Sequence, residues 1–136
     1  MIKIAIVEDE AMYAKQLQDF LRQYETENGE AFDITIYSDG DQIVHKYKSQ
    51  FDIILMDVMM PEMDGLTATR RIRSLNRSDA ERIPIFAVTA GIFPGDIEKI
   101  KAAGMTAYLP KPLVWEELIA VLERYCEKAD CPLQCV

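Results

Sequence analysis

Three stretches of this chain, IKIAIV (2–7), FDIILM (51–56) and IPIFAV (83–88), are almost continuously apolar. Short runs of this kind suit strands covered on both faces, as happens where helices pack on each side of a parallel sheet. FDITIY (32–37) differs, because Phe32, Ile34 and Ile36 alternate with Asp33, Thr35 and Tyr37. That alternation predicts a half-exposed strand at a sheet edge. TAYL (106–109) is short enough for the other edge.

Helical signals fall between the strands. Tyr13, Leu17, Phe20, Leu21 and Tyr24 recur at the spacing of one helix face, as do Val114, Leu118, Val121, Leu122 and Tyr125. Shorter helices are predicted over about 40–48 (Ile43, Val44, Tyr47), 65–75 (Ala68, Ile72, Leu75) and 95–103 (Ile97, Ile100), with Gly29 and Gly104 as helix stops. The alternation of strand and helix predicts a single-domain α/β fold, a doubly wound five-stranded parallel sheet. Right-handed crossovers, with strands 2 and 5 at the edges, give the flavodoxin-like order 2-1-3-4-5. Its switch point lies between strands 1 and 3, and ligands bind there beyond the carboxyl ends of the strands.

The 136 residues are 49% hydrophobic and 28% charged, enough for one domain with its own core. No apolar run is long enough to span a bilayer. The N-terminus lacks the charged-then-apolar pattern of a signal peptide, so a cytoplasmic location is expected. A net charge of −8 disfavours binding to nucleic acid by this domain alone. Cys126, Cys131 and Cys135 crowd the last eleven residues, where a thiol-bearing tail is a plainer reading than a closed four-ligand zinc site, which would have to draw in the distant His45.

The topology sorts the polar residues. Strand 1 runs into Glu8-Asp9-Glu10 and strand 3 into Asp57, so these acids should converge at the switch point. Strand 4 is followed by Thr89 and strand 5 by Lys111. Clustered carboxylates repel one another, and a hard divalent cation, Mg²⁺ or Ca²⁺, relieves that repulsion. Few protein ligands and room for water favour Mg²⁺. A carboxylate nucleophile with a metal, a lysine and a hydroxyl describes phosphoryl transfer to an aspartate.

Glu8-Asp9, the apolar strand ending at Asp57, the MMPEMDG that follows, Thr89-Ala90 and Lys111-Pro112 together closely resemble the receiver domain of bacterial two-component response regulators. The resemblance covers about residues 2–127; residues 1–127 are expected to form the receiver and 128–136 a C-terminal tail. It implies that Asp57 is the phosphoacceptor. It makes Glu8 and Asp9 ligands of Mg²⁺, directly or through water, with Asp57 and the backbone carbonyl of Met59. Thr89 becomes the switch hydroxyl and Lys111 its ion-pair partner, followed by a cis bond to Pro112. Tyr108 takes the place of the aromatic switch, and Ala90 leaves the phosphodonor a path. The implied partners are a histidine kinase or a histidine phosphotransfer protein, with a homodimer through the face of the fourth helix, fifth strand and fifth helix. Such a domain is not a turnover enzyme; it promotes its own phosphorylation and slow dephosphorylation. Met59 and Gly91 stand at positions that tune that lifetime in the family. The first half resembles receivers of transcriptional regulators and the second half those of hybrid sensor kinases, so the unit is expected either alone or within a longer regulator.

Taken singly, each residue has a plainer role. The acids at 8–10 suit a helix N-terminus, Thr89 a loop or cap, and Tyr108 a packed edge tyrosine. Met56, Met59, Met60 and Met63 suit gap-filling, and Arg70, Arg71, Arg73, Arg77 and Arg82 a solvated helix face. Three other activities are weaker readings. A phosphatase with an aspartyl intermediate would want an acid where Met59 stands. A flavin carrier would want Ser, Thr and Gly where Glu8-Asp9-Glu10 stands. A receiver that works without phosphorylation would not need every acid, hydroxyl and lysine position filled.

Overall fold

The apolar strands and amphipathic helices assemble in the predicted alternation. The computed structural model describes residues 2–29, 31–45, 51–58, 63–75, 83–89, 94–111 and 113–128. In chain order the elements are β1 (Ile2–Val7), α1 (Ala11–Asn28), β2 (Phe32–Tyr37), α2 (Gly40–His45), β3 (Ile53–Asp57), α3 (Gly65–Arg73), β4 (Ile85–Thr89), α4 (Pro94–Ala103), β5 (Ala107–Pro110) and α5 (Trp115–Lys128). All pairings are parallel and the sheet order is β2-β1-β3-β4-β5.

Successive side chains on a strand point to opposite faces, and the two cores follow that rule. Ile4 and Ile6 of β1, Ile53 and Leu55 of β3, and Phe86 and Val88 of β4 pack with Leu17 and Leu21 of α1 and Leu118 and Leu122 of α5. Their neighbours Ala5, Val7, Ile54, Met56, Ile85 and Ala87 face the other way, onto Ile43, Ala68, Ile72 and Ile100 of α2, α3 and α4. Every residue of β3 and β4 is buried, which explains the unbroken apolar runs. Gly29, with φ 66°, ends α1, and Gly104, with φ 97°, follows α4, where a side chain would be strained.

Several expectations shift. β3 begins at Ile53 rather than Phe51, because the Asp52 backbone and side chain turn to the Lys3 backbone, with N–H···O of 2.7 Å and a carboxylate accepting at 2.8 Å. Thr89 closes β4 from inside the strand, not after it, and β5 runs from Ala107 to Pro110 rather than starting at Thr106. The predicted alternation of β2 fails at its end. Ile36 is 44% exposed while Tyr37 is buried against Phe51. Ala11 and Ala14 of α1 are too short to cover Ile36, so a shallow recess opens between them. Val114, expected on the buried stripe of α5, is 42% exposed, and Leu113 is buried in its place. Val114 precedes the helix and contributes its carbonyl to Glu117 and Leu118. Arg70 and Arg71 are exposed as predicted, but Arg73 is not simply solvated. Its Nε and Nη2 donate to the Gly104 carbonyl at 3.0 and 2.8 Å, tying α3 to the end of α4. Tyr47, Arg77, Arg82, Cys131 and Cys135 lie outside the described residues.

Asp39 is a buried acid that the sequence pattern does not single out. Its Oδ1 accepts the backbone N–H of Asp41 at 3.1 Å and of Met63 at 2.9 Å, joining the start of α2 to the loop after β3. Hydrogen bonds to a charged acceptor contribute roughly 1.5–3 kcal/mol. We therefore expect Asp39→Ala to lower unfolding stability in urea by about 1.5–3 kcal/mol, and Asp39→Asn, which keeps an acceptor oxygen, to lose markedly less. Equal losses for the two would contradict this role.

Candidate functional site

Strand register brings the polar residues together. Val7 pairs with Met56, Asp57 with Val88 and Thr89 with Pro110, so Glu8, Asp57, Thr89 and Lys111 stand side by side at one end of the sheet. Backbone bonds extend the ladders past the strand ends: Glu8 N–H to Tyr37 O at 2.9 Å, Val58 N–H to Val88 O at 3.1 Å, and Lys111 N–H to Thr89 O at 2.8 Å. Each functional side chain therefore hangs from backbone fixed on both sides.

Asp57 is 3% exposed, Glu8 3% and Thr89 7%. The Lys111 ammonium reaches Glu8 Oε1 at 2.9 Å and Asp57 Oδ1 at 3.3 Å, with its side chain 5% exposed. Glu8 Oε1 is fully enclosed, and apart from this ion pair no hydrogen bond reaches it among the described residues. Glu8 Oε2 accepts the Glu10 backbone N–H at 3.2 Å. The carboxylate oxygens of Glu8, Asp9 and Glu10 lie within 4.8 Å of one another.

Burial pushes the Asp57 carboxyl up from its ordinary 3.8 to about 8, and contacts with the Glu8 and Asp9 carboxyls push the same way against the pull of Lys111. Burial alone would lower Lys111, but the bond to Glu8 and the charge on Asp57 outweigh it and hold the ammonium above the usual lysine value. One ammonium faces an excess of carboxylates. Helix capping does not account for them, since the N-cap residue Glu10 makes no side-chain cap and the first turn of α1 carries no acid.

The loop after Asp57 is shaped from behind. Asp64 caps α3, its Oδ1 accepting the Thr67 N–H at 2.7 Å. Gly65 donates its N–H to Val58 O at 2.9 Å. A Cβ on Gly65 would lie 2.2 Å from the Asp57 carbonyl oxygen, so only glycine allows α3 to start this close to the end of β3.

Tyr108 is 38% exposed on β5. It lines an open groove of about 610 Å³ with Ile97 and Lys101 of α4 and Glu117 and Ala120 of α5. Tyr13 entered the sequence analysis only as part of the apolar stripe of α1, yet its ring centroid lies 4.3 Å from the Lys111 Nζ. An aromatic residue on a helix stripe gives no sequence signal for such a contact; only the topology does. Met59, Ala90, Gly91 and Pro112, with the expected carbonyl ligand and cis bond, lie outside the described residues.

The response regulator receiver domain model matches residues 4–123. This chain belongs to the response regulator receiver domain family. The receiver is 37% identical to the hybrid signal transduction histidine kinase I of Dictyostelium discoideum, over 93% of this chain but 8% of that protein. It is 41% identical to the signal transduction histidine-protein kinase BarA of Escherichia coli K12, over 68% of this chain and 10% of that one. Transcription factor SKN7 of Saccharomyces cerevisiae is 32% identical, over 90% of this chain and 18% of its own length. The receiver thus spans a small part of each relative. Among solved structures, the receiver domain of sensor histidine kinase PA1611 from Pseudomonas aeruginosa, with a magnesium ion coordinated in its active site cleft, superposes with a TM-score of 0.79. That pair is 35% identical, covering 93% of this chain and 98% of the other. The chemotaxis protein CheY4 of Vibrio cholerae gives a TM-score of 0.79 at 28% identity, covering 91% and 98%. Among the described residues no helix is long and apolar enough to cross a membrane.

The raised Asp57 value carries a stability consequence. Between pH 4 and about 8 the unfolded chain has released this proton while the folded receiver retains it, so Asp57 costs stability progressively as pH rises through that window. In metal-free buffer, Asp57→Asn should therefore melt above the unsubstituted protein at pH 8, and the gap should shrink at pH 5. A gap that is constant with pH would show that the acid is not desolvated.

Proposed function

We propose that this chain accepts a phosphoryl group on Asp57 from a histidine kinase or a histidine phosphotransfer protein and switches in response. The observation that carries the reading is a single buried ammonium, Lys111, bridging Glu8 and Asp57 at the end of the sheet, amid more carboxylates than it can neutralise. An all-oxygen donor set with an enclosed Glu8 oxygen, met among the described residues by the Lys111 ammonium alone, suits a hard cation such as Mg²⁺. Glu8, Asp9, Asp57 and the Met59 carbonyl are the residues we assign to hold it. Bound there, Mg²⁺ supplies positive charge to the phosphoryl oxygens and lets an anionic carboxylate meet an anionic donor.

The chain's own residues then divide the work. An Asp57 oxygen forms the bond to phosphorus as the bond to the donor nitrogen breaks, and the rigid end of β3 holds that oxygen in place. Lys111 is already at Asp57 and needs only to transfer its contact to a phosphoryl oxygen. The Thr89 hydroxyl donates to another. Those two bonds favour one of two states of the β4 and β5 ends. Tyr108 and the groove between α4, β5 and α5 form the surface we assign to partner binding or homodimerisation, since the groove borders both Pro110 and Tyr108. The reading is of a switch that promotes its own phosphorylation and slow dephosphorylation, not of a turnover enzyme. It acts in the cytoplasm, beside kinases and with reduced cysteines, and its charge of −8 keeps it from nucleic acid. Its relatives include both hybrid kinases and a transcription factor, so the same unit serves within longer regulators.

Incubation with Mg²⁺ and a small phosphodonor such as acetyl phosphate, followed by intact mass, should add one phosphoryl group. Asp57→Asn and removal of Mg²⁺ with a chelator should each abolish it. An adduct that survives in Asp57→Asn would overturn the assignment. Mg²⁺ should also raise the melting temperature at pH 8 more in the unsubstituted protein than in Asp57→Asn, because the substitution removes one of the charges the cation neutralises.

A further inference from the structure

We infer that Tyr13 is a positioning residue for Lys111, holding the ammonium in place while its carboxylate partners are engaged in the reaction. The inference rests on the phosphoacceptor reading above and extends it to a residue on a different element.

Among the described residues the Lys111 Nζ makes three close contacts: Glu8 Oε1 at 2.9 Å, Asp57 Oδ1 at 3.3 Å, and the Tyr13 ring with its centroid at 4.3 Å. The first two partners are acids whose oxygens are wanted elsewhere. Once Glu8 and Asp57 turn to a cation and a phosphoryl group, both ion pairs loosen together. The ring is the contact that does not depend on either acid. It is uncharged, so it neither competes for the cation nor repels a phosphoryl oxygen. Its negative face attracts the ammonium most strongly where water is excluded, and the Lys111 side chain is only 5% exposed.

The ring is also fixed. Tyr13 packs against the core formed by Leu17, Leu118 and the inner residues of the strands. It lies in the first turn of α1, whose backbone is closed there by Ala14 N–H to Glu10 O at 3.0 Å. A lysine has a long flexible stem and an ammonium without directional shape. Two backbone-anchored points, the Lys111 N–H on Thr89 O and the Tyr13 ring, then define where that stem can end.

The test compares Tyr13→Phe, which keeps the ring, with Tyr13→Leu, which keeps bulk without it. Phosphorylation rates at saturating acetyl phosphate and Mg²⁺ are measured by intact mass, and Mg²⁺ affinity by calorimetry. Tyr13→Phe should react within about twofold of the unsubstituted protein, and Tyr13→Leu about five- to thirtyfold more slowly, the range for a desolvated contact of this type. Mg²⁺ affinity should change by less than about twofold, because the ring touches no acid. In a Lys111→Gln background, Tyr13→Leu should slow the reaction no further, since there is no ammonium left to position. If Tyr13→Leu melts below the assay temperature, Tyr13→Met, ringless and more adaptable, replaces it. An unchanged rate in the ringless variant overturns the inference, as does an equal slowing in the Lys111→Gln background. Either result leaves the phosphoacceptor reading standing, whereas no adduct on the unsubstituted protein overturns that reading itself.

Discussion

The fold is organised around a repulsion. Glu8 and Asp57 are almost wholly buried, Asp9 and Glu10 stand beside them, and Lys111 alone among the described residues bridges two of these acids. Left to themselves, desolvated carboxylates would spread apart or draw in water. They stay together because each is the continuation of a strand whose interior is apolar. A fully buried Ile or Leu contributes about 1.5–3 kcal/mol, and β1, β3 and β4 supply Ile4, Ile6, Ile53, Ile54, Leu55, Ile85 and Val88 at 0% exposure. The hydrophobic sheet thus supports a strained polar end.

That arrangement makes the site responsive. A group already held near its charging point, as Asp57 is, changes state with small additions of charge or protons. On the proposed function, a cation or a phosphoryl group would need only to redistribute contacts that exist, without a large rearrangement of the sheet. The strand ends that would carry the response are the same ones that hold the side chains, since Lys111 N–H bonds to Thr89 O across β4 and β5. In the proposed switch, sensing and transmission would share one ladder of backbone bonds.

What could be read from the sequence follows from the same physics. The strand order was legible because central strands are apolar throughout and the edges are not. Glu8, Asp57, Thr89 and Lys111 were legible because a topology that aligns strand ends aligns the residues after them. Their role also drew on resemblance to a known family, which the residue pattern alone would have left among several phosphoryl-transfer readings. The misses are local. Ile36 and Tyr37 exchange burial because two small alanines on α1 leave one side uncovered, a matter of side-chain size on another element. Val114 falls outside its helix by one position, and helix phase does not report the cap. Arg73, Asp39 and Tyr13 take partners 31, 24 and 98 residues away, Arg73 on Gly104, Asp39 on Met63 and Tyr13 under Lys111. No periodicity within a single element carries such pairings.

Gly65 and Gly95 both sit at helix starts, yet their surroundings differ completely. Nothing lies within 4 Å of a Cβ at Gly95, whereas one at Gly65 would strike the carbonyl oxygen of Asp57 at 2.2 Å. The backbone of β3 and the first turn of α3 are therefore in hard contact, without a side chain between them to yield. Protein that drifts in sequence can fill position 95 with almost anything that begins a helix. At position 65 the same drift would shove the peptide unit of Asp57 itself, so this glycine behaves as a silent member of the site: it has no side chain to take part, and its absence of one is its contribution.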